Sequence, residues 1–302
     1  MDIVKFTILI TTKNRLPDLV FTLNKIAHLL QRQDVSCMIC DDGSSDGTSN
    51  FLKENHPNIY LIRNETSKGL IFSRNKLLGF VKSDYAVSID DDLHFITENP
   101  LELIENHLIM HPQCALVGFR IFWSTAEPAS THSNESAHRM KSFAGGAHCW
   151  RMADWEKIPD YPAWFIFHGE EDFAAYELFK KNLEIHYLPS VLVHHRVDIK
   201  ARKKNADYTI RLRRSLRSGW YLYFLFLPWS EIPRLLAYSI WIQFKLKVFK
   251  GDFRALKAII QALFDLLMAW PKIAKNVNRL TVKEYAEFNR IQNIKLYWKP
   301  EN

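Results

Sequence analysis

Tyr85-Ala86-Val87-Ser88-Ile89-Asp90-Asp91-Asp92 carries an apolar, strand-like run straight into three adjacent carboxylates. Three such groups repel one another, so a strand that ends on them calls for something positive, and a divalent cation carrying a phosphate is the best match. An isolated acidic run is ordinarily a solvated turn. Here the pattern occurs twice, because Asp41-Asp42-Gly43-Ser44 ends another apolar strand, Val35 to Cys40.

Working outward, strand and helix signals alternate as a mostly parallel sheet requires. Phe6 to Thr11 reads as a buried strand, Pro17 to Leu30 as an amphipathic helix opened by proline, and Asn58 to Ile62 as a third strand. Asp46 is placed to cap the helix between the second and third strands. Leu70 to Val81 and Leu101 to Met110 read as helices, and Ala115 to Phe119 as another strand. In an open α/β sheet, ligands bind beyond the carboxyl ends of the strands. Thr11-Thr12-Lys13-Asn14-Arg15, the Asp41–Ser44 turn and the Asp90–Asp92 triplet all fall there. No G-x-G-x-x-G follows the first strand and no Walker A sequence occurs, while Asp41 to Gly47 lacks the alternate ligands and closing glutamate of a calcium loop.

The 302 residues are 47% hydrophobic, enough for a sizeable core and against a disordered chain. Cys37, Cys40, Cys114 and Cys149 form no even framework, and the Cys37-x-x-Cys40 offset in a strand sends the two thiols to opposite faces. They read as reduced residues of a cytosolic protein, not as a zinc or redox site. The start, Met1 to Phe6, enters a strand directly without signal-peptide features. The net charge of +7 hides an asymmetry: from Arg196 onward 22 Lys+Arg face 8 Asp+Glu, whereas the preceding part holds 18 against 25.

The polar clusters, in their order, resemble an inverting glycosyltransferase of family 2 with the GT-A fold, over roughly Phe6 to Arg196. The resemblance rests on FTILITTKNR (6–15), CDDGSSDGT (40–48), NETSKGLIFSRNKLLGFVKSDYAVSIDDD (64–92), GGAHCWRMADWEKI (145–158) and HGEEDFAAYELFKKNLEIHYLPSVLVHHR (168–196). It implies a GT-A, Rossmann-like, mostly parallel sheet flanked by helices in a catalytic domain of residues 1–210. It further implies a UDP-, GDP- or dTDP-sugar donor and a Mg²⁺ or Mn²⁺ ion. Asp42 would meet the nucleotide base, with Thr11, Asn14 and Arg15 lining the pocket. Asp90 and Asp91 would stand on the donor side, Asp91 near the ribose or diphosphate, with Lys68 and Arg74 as basic groups beside it. Asp92 would be a metal ligand.

The resemblance places a catalytic base at the start of the helix after the acceptor loop, where Glu170, Glu171 and Asp172 stand together. Counting back from Leu188-Pro189 favours Glu171; the position just before the apolar run favours Asp172. His194 or His195 would complete the metal or diphosphate site, and alternation along a strand lets at most one of them face it. Trp150, Trp164 and Phe165 flank the acceptor segment, where they suit sugar stacking or core packing equally.

From about Leu212 the composition changes. Residues 211–302 read as a basic, aromatic-rich helical region. The uncharged stretch Ser218 to Ser230 is too short to span a bilayer. Trp220, Trp229, Trp241 and Trp270 among lysines and arginines suggest helices lying on an anionic membrane; the competing reading packs them on the front domain with tryptophan as core. Together these features point to a cytoplasmic enzyme, peripheral on the inner face of a membrane, acting on a glycan or lipid-linked acceptor. A sugar nucleotidyltransferase is the alternative enzyme, but it carries a glycine-rich signature that TTKNRLPD lacks. A nucleic-acid-binding module would use the basic rear but leaves the acidic triplet unexplained, so no nucleic-acid partner is expected.

Overall fold

The computed structural model describes residues 4–198 and 207–295; the first three residues, from which the chain was expected to lead directly into its opening strand, lie outside that part. Four parallel strands open the chain: β1 (Phe6–Thr12), β2 (Val35–Asp41), β3 (Tyr60–Arg63) and β4 (Tyr85–Asp90), in spatial order β3-β2-β1-β4. They are joined by α1 (Leu16–Lys25) and the short α2 (Ala27–Leu30), by α3 (Thr48–Asn55), and by α4 (Leu70–Leu78). The helix expected from Pro17 to Leu30 is thus broken at Ile26.

Alternation along the strands sorts their side chains into two cores. Ile8, Ile10, Cys37, Ile39 and Val87 pack with Leu19 and Leu23 of α1 and Leu52 of α3. Leu9, Cys40 and Ala86 pack on the opposite face with Ile71, Leu77 and Leu78 of α4. Cys37 and Cys40 therefore do point to opposite faces, and all four cysteines are free and buried. The chain leaves β1 on one side toward β2 and returns to β4 on its other side, with the connecting helices on opposite faces. The carboxyl ends of β1 and β4 thus flank the topological switch point where such sheets hold ligands.

Beyond β4 the sheet becomes mixed. β5 (Leu93–Phe95), α5 (Pro100–Met110), β6 (Cys114–Ser124), β7 (His138–Met140), β8 (Ala147–Arg151), α6 (Met152–Trp155), α7 (Glu170–Lys180) and β9 (Glu184–Arg196) follow. β8 pairs antiparallel with β4 and β6, while β9 pairs parallel with β6 and antiparallel with β5 and β7. The pairing Leu93↔His195 brings the far end of β9 beside the acidic triplet.

Among the described residues five α-helices follow: α8 (Tyr208–Phe226), α9 (Ile232–Leu246), α10 (Phe253–Met268), α11 (Trp270–Lys275) and α12 (Val282–Arg290). Leu216, Trp220, Tyr221, Leu222, Leu225 and Phe226 of α8 belong to the same buried cluster as α4 and α7. Trp220, 1% exposed, is core, and its indole N–H donates to Ser239 Oγ at 3.0 Å. Trp229, Trp241 and Trp270 remain exposed. Arg217 donates to Phe165 O at 2.8 Å and pairs with Asp265 of α10 at 3.2 Å, tying helix to helix. Near the end of the described chain Gln292 bridges to Met140 beside β7, and its carbonyl accepts from the Lys141 N–H at 2.8 Å. Among the described residues no helix is long and apolar enough to cross a membrane.

Candidate active site

The triplet separates its three carboxylates. Asp91 turns inward, accepting from Thr12 Oγ1 at 2.8 Å and pairing with Arg15 Nη1 at 2.9 Å. Burial pushes its carboxyl up to about 7 against the pull of Arg15. Asp92 is 1% exposed and takes Arg15 Nη2 at 2.7 Å, with His195 Nε2 3.0 Å from its other oxygen. Burial alone would raise Asp92, but His195 and Arg15 together hold it well below the usual carboxylate range. The Asp92 Oδ1 and His195 Nε2 atoms are close yet misaligned for a hydrogen bond, and both are buried with no hydrogen-bond partner. With Asp90 they form a group whose donor atoms all lie within 4.8 Å of one another.

His195 reaches this place because β5, starting one residue after Asp92, runs back along β9; the Arg196 N–H donates to Asp92 O at 3.0 Å. Its neighbour His194 faces the other way. His194 Nε2 lies 2.9 Å from Ser124 O, grouped with His94 and Glu127, and does not join Asp90 and Asp92. The sequence expectation that at most one of the pair faces the triplet is met by His195.

On the β2 side, Asp41 is fully buried and holds its own turn, accepting from the Ser44 N–H at 2.8 Å and pairing with Arg63 at 3.0 Å. Asp42 accepts four donors: Asn64 Nδ2 at 2.8 Å, Ser67 Oγ at 2.6 Å, and the N–H groups of Lys68 at 2.8 Å and Gly69 at 2.9 Å. Burial would raise its carboxyl, but these bonds more than offset that and lower it. Asp42 thus fixes the 64–69 loop, leaving the Lys68 side chain exposed. The turn needs glycine at position 43, where φ is +77° and a Cβ would stand 2.9 Å from the Ser67 nitrogen. Asn14, at φ +52°, links the first two clusters: its N–H donates to Ser44 Oγ at 2.9 Å and its Oδ1 accepts from the Ser45 N–H at 2.7 Å. Thr11, half-buried, lies in register between Cys40 and Asp90.

Arg74 is buried, not a surface cation. Its guanidinium donates to Glu170 Oε1 at 2.8 Å, Asp90 Oδ1 at 3.0 Å and Gly145 O at 2.8 Å. It therefore ties the start of α7 to the triplet. Burial and the charge of Glu170 raise the Glu171 carboxyl well above its usual range, and burial raises Glu170 against the pull of Arg74. A Cβ on Gly145 would fall 2.2 Å from Glu171 Oε1 and 2.7 Å from Arg74 Nη1, so a larger residue here would push those two side-chain ends aside. Asp172, one residue on, is exposed. Trp150 and Phe165 are wholly buried and serve the core, while Trp164 is half-buried against Phe165 and Tyr221.

Thr12, Gly145, and Arg196 with its bond to Thr22 Oγ1 at 2.7 Å were not singled out from the sequence. The threonine and the glycine each sit inside a quoted motif, which is the signal that could have found them. Arg196 closes the last of the quoted motifs, but its partners come from α1 and β5, which no local pattern reports.

The profile of glycosyl transferase family 2 matches residues 7–166. Solved structures share the fold. GalNAc-T7 with UDP, GalNAc and Mn²⁺ superposes with TM-score 0.61 at 12% identity, over 85% of this chain and 55% of that one. TarS of S. aureus gives TM-score 0.60 at 16% identity, over 90% and 50%. The mannosyltransferase PcManGT from Pyrobaculum calidifontis, in complex with GDP-Man and Mn²⁺, gives 0.55 at 14%, over 95% and 79%. The chain spans about half the length of GalNAc-T7 and of TarS. No curated protein matches it by sequence.

Proposed function

The chain belongs to glycosyl transferase family 2, and from that premise we propose that it moves a sugar from a nucleoside-diphosphate donor to an acceptor hydroxyl with inversion at the anomeric carbon. The observation that carries this reading is the pair of buried atoms Asp92 Oδ1 and His195 Nε2, 3.0 Å apart beside the switch point with no hydrogen bond to any group. Two carboxylates and an imidazole within 4.8 Å of one another suit Mg²⁺ or Mn²⁺. Such an ion, held by Asp90, Asp92 and His195, would supply positive charge to the diphosphate as it leaves. The presence of Mn²⁺ with UDP or GDP-Man in GalNAc-T7 and PcManGT supports the same donor class.

The remaining roles fall to the chain's own groups. Glu170 is spent on Arg74, and burial raises Glu171 and Asp172 alike; Asp172 is the exposed carboxylate of the three, and on that ground it is assigned the acceptor's proton. The acceptor oxygen then bonds to the anomeric carbon from the far face while the carbon–phosphate-oxygen bond breaks, and the nucleoside diphosphate departs with the electron pair. Arg74 and Glu170 hold Asp90 in place. Arg15 occupies Asp91 and Asp92 as a built-in counter-charge, and Lys68 is the exposed cation for the phosphates. Thr11, Asn14 and the loop fixed by Asp42 form the nucleotide wall.

The exposed face of α10 supports attachment to an anionic membrane and, with it, a lipid-linked glycan acceptor. Phe253, Ile260, Phe264 and Leu267 lie on one helical face and are 59–73% exposed. Lysines and arginines of α9 and α10 flank them. Exposed apolar stripes rimmed by basic residues match a bilayer surface.

Isothermal titration of UDP-, GDP- and dTDP-sugars with Mn²⁺ tests the core of this proposal. Asp92→Asn should abolish metal-dependent donor binding with the fold intact. Undiminished affinity in that variant sinks the assignment.

A further inference from the structure

A second cluster of metal-binding chemistry lies at the opposite end of β9 from His195. His107 in the last turn of α5, His111 just after it and His186 near the start of β9 bring three imidazoles together. Their ring centroids are 4.4, 5.1 and 5.1 Å apart, a nearly equilateral triangle. One donor nitrogen from each lies within 4.8 Å of the others. His107 and His186 are buried and His111 is half-buried, so the triangle has a closed back and one side open to solvent.

The protonation pattern favours ligation. Glu184 Oε2 is 2.9 Å from His186 Nε2, and a carboxylate accepts, so the proton of His186 sits on Nε2. Its Nδ1 lone pair is therefore bare, and it is aimed at His107 Nε2, 2.9 Å away. A carboxylate orienting a histidine in this way is the usual outer support of a metal-bound imidazole. Arg139 holds that carboxylate in turn, at 3.0 Å. A tautomeric shift of His107 frees its Nε2, at the cost of one hydrogen bond.

We propose that His107, His111 and His186 form a second divalent-metal site, taking a nitrogen-preferring ion such as Zn²⁺ and separate from the acidic cluster at Asp92. Three imidazoles suit zinc, whose bonds to nitrogen are about 2.0–2.1 Å, whereas the carboxylates at Asp90 and Asp92 suit Mg²⁺ or Mn²⁺. The ion clamps the end of α5 onto β9, and its fourth position is left to water on the His111 side.

The experiment is a titration of Zn²⁺ into the full chain carrying Asp92→Asn, which weakens the acidic cluster, with and without His111→Ala. The expected result is one equivalent of tight Zn²⁺ in the first protein, persisting in excess Mg²⁺, and at least a tenfold weaker affinity in the second. Equal Zn²⁺ affinity in both proteins, or no tight Zn²⁺ in the first, overturns the proposal. Circular dichroism checks that His111→Ala folds. Should it not fold, His111→Gln is measured in its place: a tenfold loss of Zn²⁺ affinity supports the site, and unchanged affinity overturns it.

Discussion

At the residue scale, the triplet works by giving each carboxylate a different environment. Asp91 is sunk against Thr12, Asp92 faces His195, and Asp90 is held by Arg74. The strand alternation behind this was legible in the sequence, as was the face-sorting of His194 and His195. The commitment of Arg74 was not, because its partners Glu170 and Gly145 lie 96 and 71 residues away and no local pattern reports them. The proposed base is tested at the same scale. Asp172→Asn should lower turnover by roughly 10²–10⁴ with donor affinity nearly unchanged, and Glu171→Gln should cost far less. A steady-state comparison of the two variants checks this, and full activity in Asp172→Asn rules that residue out as the base. A pH prediction comes from buried histidines. Burial pushes His148 down to about 3, and His107 to about 4, so between pH 6.5 and 4 the unfolded chain binds protons that the folded one refuses. Stability is therefore present above pH 6.5 and falls with acid, by about 1.4 kcal/mol per pH unit for each group. Urea unfolding at pH 7 and pH 4.5 measures it; a flat profile contradicts neutral burial.

At the scale of elements, the parallel half was readable because each strand is a short apolar run followed by a helix with its own period. β5 and β7, three residues each, were not readable, since they exist only by pairing with β9. Nor did the length of β9 show, because Pro189 interrupts its pattern midway. The C-terminal helices divide in two. α8 gives Trp220 to the catalytic core, whereas α10 turns its phenylalanines outward. Trp220→Ala should cost about 3–5 kcal/mol, the usual loss for an aromatic removed from a packed site. Phe264→Ser, at a residue 61% exposed, should leave stability within about 0.5 kcal/mol. Thermal unfolding of both variants distinguishes them, and equal effects would mean that α8 is not part of the core.

At the scale of the whole molecule, an acidic front carries the candidate site and a basic rear carries the exposed aromatic face. If that face meets a bilayer, each basic residue near an anionic surface contributes about 1 kcal/mol, reduced by salt, while buried aromatics add a salt-resistant part. The full chain should float with anionic liposomes at low salt and partly at high salt, and Trp241→Ser with Phe264→Ser should abolish the salt-resistant fraction. Failure of the full chain to float under either condition would remove the support for a lipid-linked acceptor. The bridge from Met140 to Gln292 has a consequence for how the protein is made. The short strand β7 is completed by a residue synthesised 152 positions later. At about 5–20 residues per second, a ribosome needs roughly 8–30 s to cover that distance. Until β9 has been made β7 lacks its strand partner, and from then until Gln292 emerges its other edge stays open, so it is in translation, more than in the finished protein, that this edge is available to a chaperone or to a neighbouring chain.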